Sequence, residues 1–120
     1  MAHILIIDDS PTDVRVFTTL LEKNGYKVSS AASAEAGIAM AKRERPDLVI
    51  MDVIMPGMNG FQATRTLSRE AETSEIPILI VTTKSMETDR VWGLRQGAKD
   101  FMVKPVAEQD LLGRISKLLS

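Results

Sequence analysis

The chain has 120 residues, which is enough for one compact domain with a core and too few for a second folded module. Fifteen Lys and Arg nearly balance 16 Asp and Glu, so there is no basic field to hold nucleic acid against salt. The absence of cysteine excludes disulfides and thiolate chemistry, and the single histidine, His3, argues against a zinc site. His3 is expected to be a solvated residue before the first strand. The first apolar run spans only residues 4–7, so we predict neither a secretion signal nor a membrane span and interpret the protein as cytoplasmic.

Short apolar runs alternate along the chain with segments of helical period. This alternation predicts a βα repeat whose parallel sheet is covered by helices on both faces, and the length accommodates five such units. The second strand is the most polar, so it is predicted to lie at an edge of the sheet. The strands are predicted at about residues 3–8, 27–31, 48–52, 77–82 and 100–103.

The helices carry recognisable boundary signals. The first begins with Ser10 as its capping residue and Pro11 at its first position, and it stops at Asn24–Gly25. A polar connection is predicted over residues 70–77. The other helices are predicted over residues 34–43, from about Gly60, over residues 87–96, and along the apolar stripe Leu111, Leu112, Ile115, Leu118 and Leu119.

Charged side chains stand at the carboxyl ends of three predicted strands. Asp8 and Asp9 follow the first strand, Asp52 ends the third, and Lys104 follows the fifth. In an open parallel sheet these ends share one edge, so the four side chains are expected to converge. Carboxylate oxygens are ligands that Mg²⁺ prefers, and phosphoryl transfer depends on cations that neutralise developing charge. We therefore interpret Asp52 as a nucleophile toward phosphorus that bound Mg²⁺ and Lys104 keep ionised.

Each of these elements also has an ordinary structural explanation when it is taken alone. The segment 8–11 can be a strand end that runs into a helix cap, and the segment 55–60 can be a turn. Lys104 can be a solvated loop lysine before a helix. Their joint occurrence at successive strand ends favours the functional interpretation.

One ordered set of residues runs through the whole chain: Asp8, Asp9, Asp52, Met55, Pro56, Gly60, Thr82, Lys104 and Pro105. This set resembles the receiver domains of two-component response regulators from end to end. The resemblance implies a flavodoxin-like, CheY-like α/β fold, which is a doubly wound parallel sheet of strand order 2-1-3-4-5 with helices on both faces. It also implies that residues 1–120 form a single receiver domain and that no output domain is present.

The resemblance implies a role for each matched residue. Asp52 accepts a phosphoryl group from a phosphohistidine on a sensor histidine kinase. Mg²⁺ is bound by the side chains of Asp9 and Asp52, by the backbone carbonyl of Ile54, and by Asp8 through water. Lys104 contacts the phosphoryl oxygens.

The resemblance further implies a conformational switch. The bond before Pro105 is expected to be cis. Phosphorylation is expected to draw in the hydroxyl of Thr82 and to vacate space for an aromatic ring, supplied here by Phe101 where tyrosine is frequent. The fourth helix, fifth strand and fifth helix form the expected docking face for a partner protein, with Phe101 at its edge. A permanent core position for Phe101 is the alternative, and Trp92 fits either a core position or an exposed anchor.

Residues outside the shared motifs refine the resemblance. The segments 57–65, 71–74, 81–84 and 91–93 are similar to PilH-type regulators of type IV pilus twitching motility. We therefore expect a monomer or weak dimer that is not an enzyme beyond its own phosphorylation and dephosphorylation. It is expected to act by docking to an effector or by draining phosphate from a kinase. Ile54 and Lys84 are predicted to tune how fast water hydrolyses the acyl phosphate.

Three alternatives remain open from the sequence. A chemotaxis-type flagellar regulator shares the receiver motifs. An aspartate-nucleophile phosphohydrolase of the haloacid-dehalogenase type shares an aspartate, a lysine and Mg²⁺, but it places a second aspartate where this chain has Ile54. A flavin-binding protein is compatible with the fold alone, although function has to be argued from the site.

Overall fold

The computed structural model describes residues 1–120, and its strands and helices alternate along the whole chain. The five strands are all parallel and lie in the order β2-β1-β3-β4-β5, which confirms the predicted fold and the edge position of β2. The elements are β1 (His3–Ile7), α1 (Pro11–Lys23), β2 (Lys27–Ala31), α2 (Ala34–Glu44), β3 (Leu48–Met51), α3 (Gly60–Arg69), β4 (Ile78–Thr82), α4 (Glu87–Arg95), β5 (Asp100–Val103) and α5 (Glu108–Leu119).

Side chains that alternate along each strand divide the core into two halves, one on each face of the sheet. In β1, Ile4 and Ile6 pack with the buried faces of α1 and α5, whereas Leu5 and Ile7 pack with α2 and α3. These four β1 side chains are fully buried. The predicted covering of the sheet on both faces is therefore confirmed.

The predicted helix signals are present in the structure. The Ser10 hydroxyl accepts the backbone N–H of Asp13 at 3.3 Å, Pro11 opens α1, and Asn24 is the C-terminal cap. The apolar stripe of α5 packs against the same half of the core as α1. None of the helices combines the length and the apolar composition that crossing a lipid bilayer requires.

Two details of the chain differ from expectation. His3 is the first residue of β1 rather than a solvated end residue, and its Nε2 lies 2.7 Å from the Ser29 hydroxyl and 3.4 Å from a Glu44 carboxylate oxygen. The polar connection after α3 is present, but it contains buried Thr73, whose hydroxyl donates to the Leu67 carbonyl at 2.7 Å. Tertiary contacts decide both positions.

Gly37 marks the closest approach of α2 to the sheet, and this generates a stability prediction. A Cβ at Gly37 would lie 2.5 Å from the Ile7 Cδ1, whereas a Cβ at Gly113 in α5 would meet nothing within 4 Å. Gly37→Ala should lower the free energy of unfolding by about 1–3 kcal/mol through overpacking. Gly113→Ala should raise it by about 0.5–1 kcal/mol because alanine favours a helix. Urea denaturation followed by circular dichroism measures both; equal effects would contradict the close packing of α2 on β1.

Candidate functional site

The backbone of the sheet continues one residue beyond three of the strands and fixes the positions of three charged side chains. The N–H groups of Asp8, Asp52 and Lys104 each donate to the last residue of a neighbouring strand. The acceptors are the carbonyl groups of Ala31, Ile7 and Thr82, at 3.1, 2.9 and 2.8 Å, respectively. The sheet register therefore places Asp8, Asp52 and Lys104 along one edge.

Three carboxylates converge at this edge. Oxygens of Asp8, Asp9 and Asp52 all lie within 4.8 Å of one another. Asp8 is 3% exposed and Asp52 is 7% exposed, whereas Asp9 faces solvent. The structure thus brings together the acidic residues of the first and third strand ends, as the sequence predicts.

Lys104 joins this cluster from β5 and has three acidic neighbours. Its Nζ donates to Asp8 Oδ2 at 2.9 Å and to Asp13 Oδ2 at 2.7 Å. Its distance to Asp52 Oδ2 is longer, 3.8 Å. Lys104 therefore lies beside the Asp52 carboxylate but is hydrogen-bonded to two other residues.

Asp13 is the residue of this site that the sequence analysis missed. An acidic residue in the first turn of a helix is ordinarily explained by the helix dipole. Asp13 nevertheless precedes Phe17 by four residues and Leu20 by seven, and both of these are buried. A carboxylate on the inward-facing stripe of an amphipathic helix was the available signal.

Electrostatics make the ionised form of Asp52 costly. Burial is the largest cause that raises the pKa of Asp52, and the neighbouring Asp8 carboxylate raises it further. The Lys104 cation, the Val53 N–H that donates to Asp52 Oδ1 at 2.8 Å, and the Thr82 hydroxyl lower the pKa without cancelling the increase. Another cation at the cluster would favour the carboxylate form.

Lys104 stays charged despite its burial. Burial by itself lowers the pKa of Lys104, but hydrogen bonds to Asp13 and Asp8 and the charge of Asp52 outweigh that effect. The pKa of Lys104 consequently lies above its ordinary value. The site has a permanent cation next to Asp52.

The donor atoms of the cluster fit Mg²⁺. All three clustered side chains offer carboxylate oxygens, which are hard ligands, and no sulfur or imidazole group is among them. Ile54, whose backbone carbonyl is the other expected ligand, lies two residues beyond Asp52 with its side chain 56% exposed. This composition suits Mg²⁺ and does not suit zinc.

The end of β4 supplies a buried hydroxyl beside the carboxylates. Thr82 is fully buried, and its Oγ1 accepts the Lys84 N–H at 3.3 Å. The Lys84 Nζ lies 3.6 Å from Asp89 Oδ1, so the side chain of Lys84 points toward α4. The peptide bond between Lys104 and Pro105 is cis. Thr82 therefore links the edge of the sheet to the loop that leads into α4.

Phe101 does not lie where we expected it. Its residue is 6% exposed and belongs to the half of the core that contains α2 and α3. A Cβ at Gly93 of α4 would lie 3.1 Å from the Phe101 ring and 2.9 Å from Ile80 Cδ1, so α4 packs closely on this ring. The expectation of Phe101 at the edge of the docking face is wrong for this conformation. Trp92, by contrast, is 48% exposed, which decides between its two alternatives.

Comparison with known proteins identifies the family. The model of the response regulator receiver domain matches residues 4–116. The chain belongs to the response regulator receiver family. Receiver domains accept phosphate from histidine kinases, act on effector proteins, bind Mg²⁺ at an acidic pocket and are generally not catalytic enzymes.

Individual relatives agree with this assignment. Protein PilH of Pseudomonas aeruginosa is 56% identical over 120 residues, which covers 100% of this chain and 99% of PilH. The chemotaxis protein CheY4 of Vibrio cholerae has the same fold with a TM-score of 0.93 and 32% identity, over 99% of both chains. The receiver domain of the sensor histidine kinase PA1611 from Pseudomonas aeruginosa has a magnesium ion coordinated in its active-site cleft; its TM-score is 0.91 and its identity 27%, over 98% of this chain and 97% of that one.

The raised pKa of Asp52 leads to a prediction about stability. Asp52→Asn should raise the free energy of unfolding in metal-free buffer at neutral pH by about 1–3 kcal/mol, because it removes a carboxylate that burial and Asp8 disfavour. The destabilisation by ionised Asp52 is complete above its raised pKa and absent below the ordinary value of 3.8, where both folded and unfolded states are protonated. The difference between the two proteins should therefore shrink as the pH falls.

Urea denaturation at several pH values in the presence of a chelator measures this difference. Glu22→Gln, which removes an exposed carboxylate from α1, is the control and should change the free energy of unfolding by less than about 0.5 kcal/mol. An Asp52→Asn variant less stable than the wild type at neutral pH would contradict the electrostatic account.

Proposed function

We propose that this receiver accepts a phosphoryl group on Asp52 from the phosphohistidine of a sensor histidine kinase, with Mg²⁺ required. The observation that carries this proposal is the cluster of Asp8, Asp9 and Asp52 oxygens within 4.8 Å, with the Lys104 cation beside it. Asp52 is mostly buried yet retains 7% exposure, so a donor can approach its carboxylate from the sheet edge. A buried carboxylate next to cations suits nucleophilic attack on phosphorus.

The proposed reaction balances without any further reactant. A carboxylate oxygen of Asp52 forms a bond to phosphorus while the bond between phosphorus and the kinase imidazole breaks, and the imidazole nitrogen keeps the electron pair. Asp8, Asp9, Asp52 and the Ile54 carbonyl would hold Mg²⁺, which when bound neutralises charge on the phosphoryl oxygens. Lys104 supplies a fixed positive charge on the β5 side of Asp52.

The proposed switch starts at Thr82. Its hydroxyl now accepts the Lys84 N–H, and a phosphoryl group on Asp52 would offer it a charged acceptor instead. Movement of Thr82 releases that bond and changes the loop of residues 83–86 that precedes α4. Because Phe101 packs against Gly93 of α4, a shift of this helix changes the packing of the ring.

The output surface of the proposed switch is formed by α4, β5 and α5. Val91, Trp92 and Val103 are 39%, 48% and 41% exposed, respectively, and they provide apolar area on α4 and β5. Apolar and aromatic side chains are typical anchors of protein interfaces. We infer that an effector protein binds this surface after phosphorylation.

The biological process we propose is type IV pilus twitching motility. Its support is the 56% identity to PilH along nearly the full length of both proteins, compared with 32% to the chemotaxis protein CheY4. A phosphohydrolase of the haloacid-dehalogenase type is not favoured, because Ile54 presents an exposed apolar side chain at the position where such enzymes have an aspartate.

Phosphorylation by a small donor tests the first step. Incubation with acetyl phosphate and Mg²⁺ should add the mass of one phosphoryl group to the wild type and none to Asp52→Asn, as read by intact mass spectrometry. Chelation of Mg²⁺ should slow the gain by about tenfold or more. Asp47→Asn, at the opposite end of the same strand, should gain mass like the wild type. Equal labelling of Asp52→Asn and wild type would refute Asp52 as the acceptor.

Complementation tests the biological process separately. In a Pseudomonas aeruginosa strain that lacks PilH, the wild-type chain should restore twitching zones and Asp52→Asn should not, with equal protein levels checked by immunoblot. A chain that is phosphorylated in vitro but leaves the zones unrestored would remove the pilus assignment and leave the phosphoacceptor proposal standing.

A further inference from the structure

Asp13 is an acidic neighbour of Lys104 that lies outside the metal cluster. Its Oδ2 is 2.7 Å from the Lys104 Nζ, which is the shortest of the three contacts that this lysine makes with carboxylates. The cluster of oxygens suited to a metal contains Asp8, Asp9 and Asp52 but not Asp13. Asp13 therefore acts on the site through Lys104.

The position of Asp13 is fixed by the helix that bears it. The Asp13 N–H donates to the Ser10 hydroxyl at 3.3 Å, and Phe17 and Leu20 hold the same side of α1 in the core. The Lys104 side chain is 12% exposed, whereas that of Asp13 is 38% exposed. The lysine thus bonds to a carboxylate that sits at the rim of the site rather than in it.

This contact draws Lys104 away from Asp52. The distance of 3.8 Å between Lys104 Nζ and Asp52 Oδ2 exceeds hydrogen-bond length, while Asp13 and Asp8 both lie within it. A phosphoryl group on Asp52 needs the same ammonium group. Four carboxylates, those of Asp8, Asp9, Asp13 and Asp52, compete for one lysine.

We propose that Asp13 is a positioning residue that holds Lys104 in a resting orientation and thereby opposes phosphorylation of Asp52. This inference rests on the proposed function. Bound Mg²⁺ would offset the charges of Asp8 and Asp9, but Asp13 lies beyond the metal cluster, so its charge is balanced by Lys104 alone. To contact the phosphoryl oxygens, Lys104 has to give up its bond to Asp13.

The size of the effect follows from the exposure of the pair. Partly exposed ion pairs contribute modestly because water screens them. Asp13→Asn keeps the shape of the side chain and removes its charge. It should increase the initial rate of phosphorylation by acetyl phosphate, and the affinity for beryllofluoride with Mg²⁺, by about two- to fivefold.

Two variants separate the proposed role from a general loss of charge. Glu108→Gln removes a carboxylate from the wall of the cavity of about 380 Å³ that Asp13 and Lys104 also line, and Glu108 makes no ion pair with Lys104. It should leave both measured quantities near their wild-type values. Asp13→Glu keeps the carboxylate and should return them toward the wild type.

A double-variant cycle tests whether the effect passes through Lys104. Beryllofluoride affinity is measured for Lys104→Met with and without Asp13→Asn, using the rise in melting temperature with Mg²⁺ present. The gain from Asp13→Asn should fall to the level of Glu108→Gln when Lys104 is absent. An undiminished gain in that background would overturn the role of Asp13 as a positioning residue.

The failures are distinguishable. A wild type that neither gains a phosphoryl group nor binds beryllofluoride overturns the proposed function and this inference with it. A wild type that does both, alongside an Asp13→Asn variant that is no faster and binds no tighter, overturns only the inference. A slower Asp13→Asn variant would mean that Asp13 prepares Lys104 for the phosphoryl group, which is the opposite of the proposal.

Discussion

Parallel pairing with the strand ends in step is the constraint on which the site depends. The ladder bonds from Asp8, Asp52 and Lys104 to their neighbouring strands align three side chains that are far apart in sequence. A slip of one residue in β3 would turn the Asp52 side chain to the opposite face of the sheet. The four residues of β3 are at most 2% exposed, so a slip would also expose the core. Hydrophobic burial thus fixes the geometry of a polar site.

The same arrangement sets stability against function. Asp8 and Asp52 are two like charges held in a buried position, and burial together with Asp8 raises the pKa of Asp52. Lys104 compensates only in part, because it is shared with Asp13. Sites that bind and react commonly retain such unfavourable charge because the ligand completes it. The surrounding strands, with fully buried Ile4, Leu5, Ile6 and Ile7, supply the rigidity that keeps these charges together.

The sequence predicts those features that depend on local pattern. Apolar runs locate the strands, the Ser10–Pro11 pair locates the start of α1, and charged residues at strand ends locate the metal cluster. The contact between Asp13 and Lys104 joins α1 to the end of β5 across 91 positions in the chain, so only the packing of the helix reveals it. The burial of Phe101 depends in the same way on how closely Gly93 lets α4 approach. Residues decided by packing between elements escape a reading of single elements.

The single tryptophan of the chain has a consequence for its study. Trp92 lies on α4, is 48% exposed, and neighbours the glycine that packs on Phe101. Light absorbed near the red edge of protein absorption therefore excites one indole at one known place, on the helix that borders the loop after Thr82. Its emission colour and quenching report displacement of α4 and occupation of the neighbouring surface in real time. The unlabelled protein contains its own optical reporter.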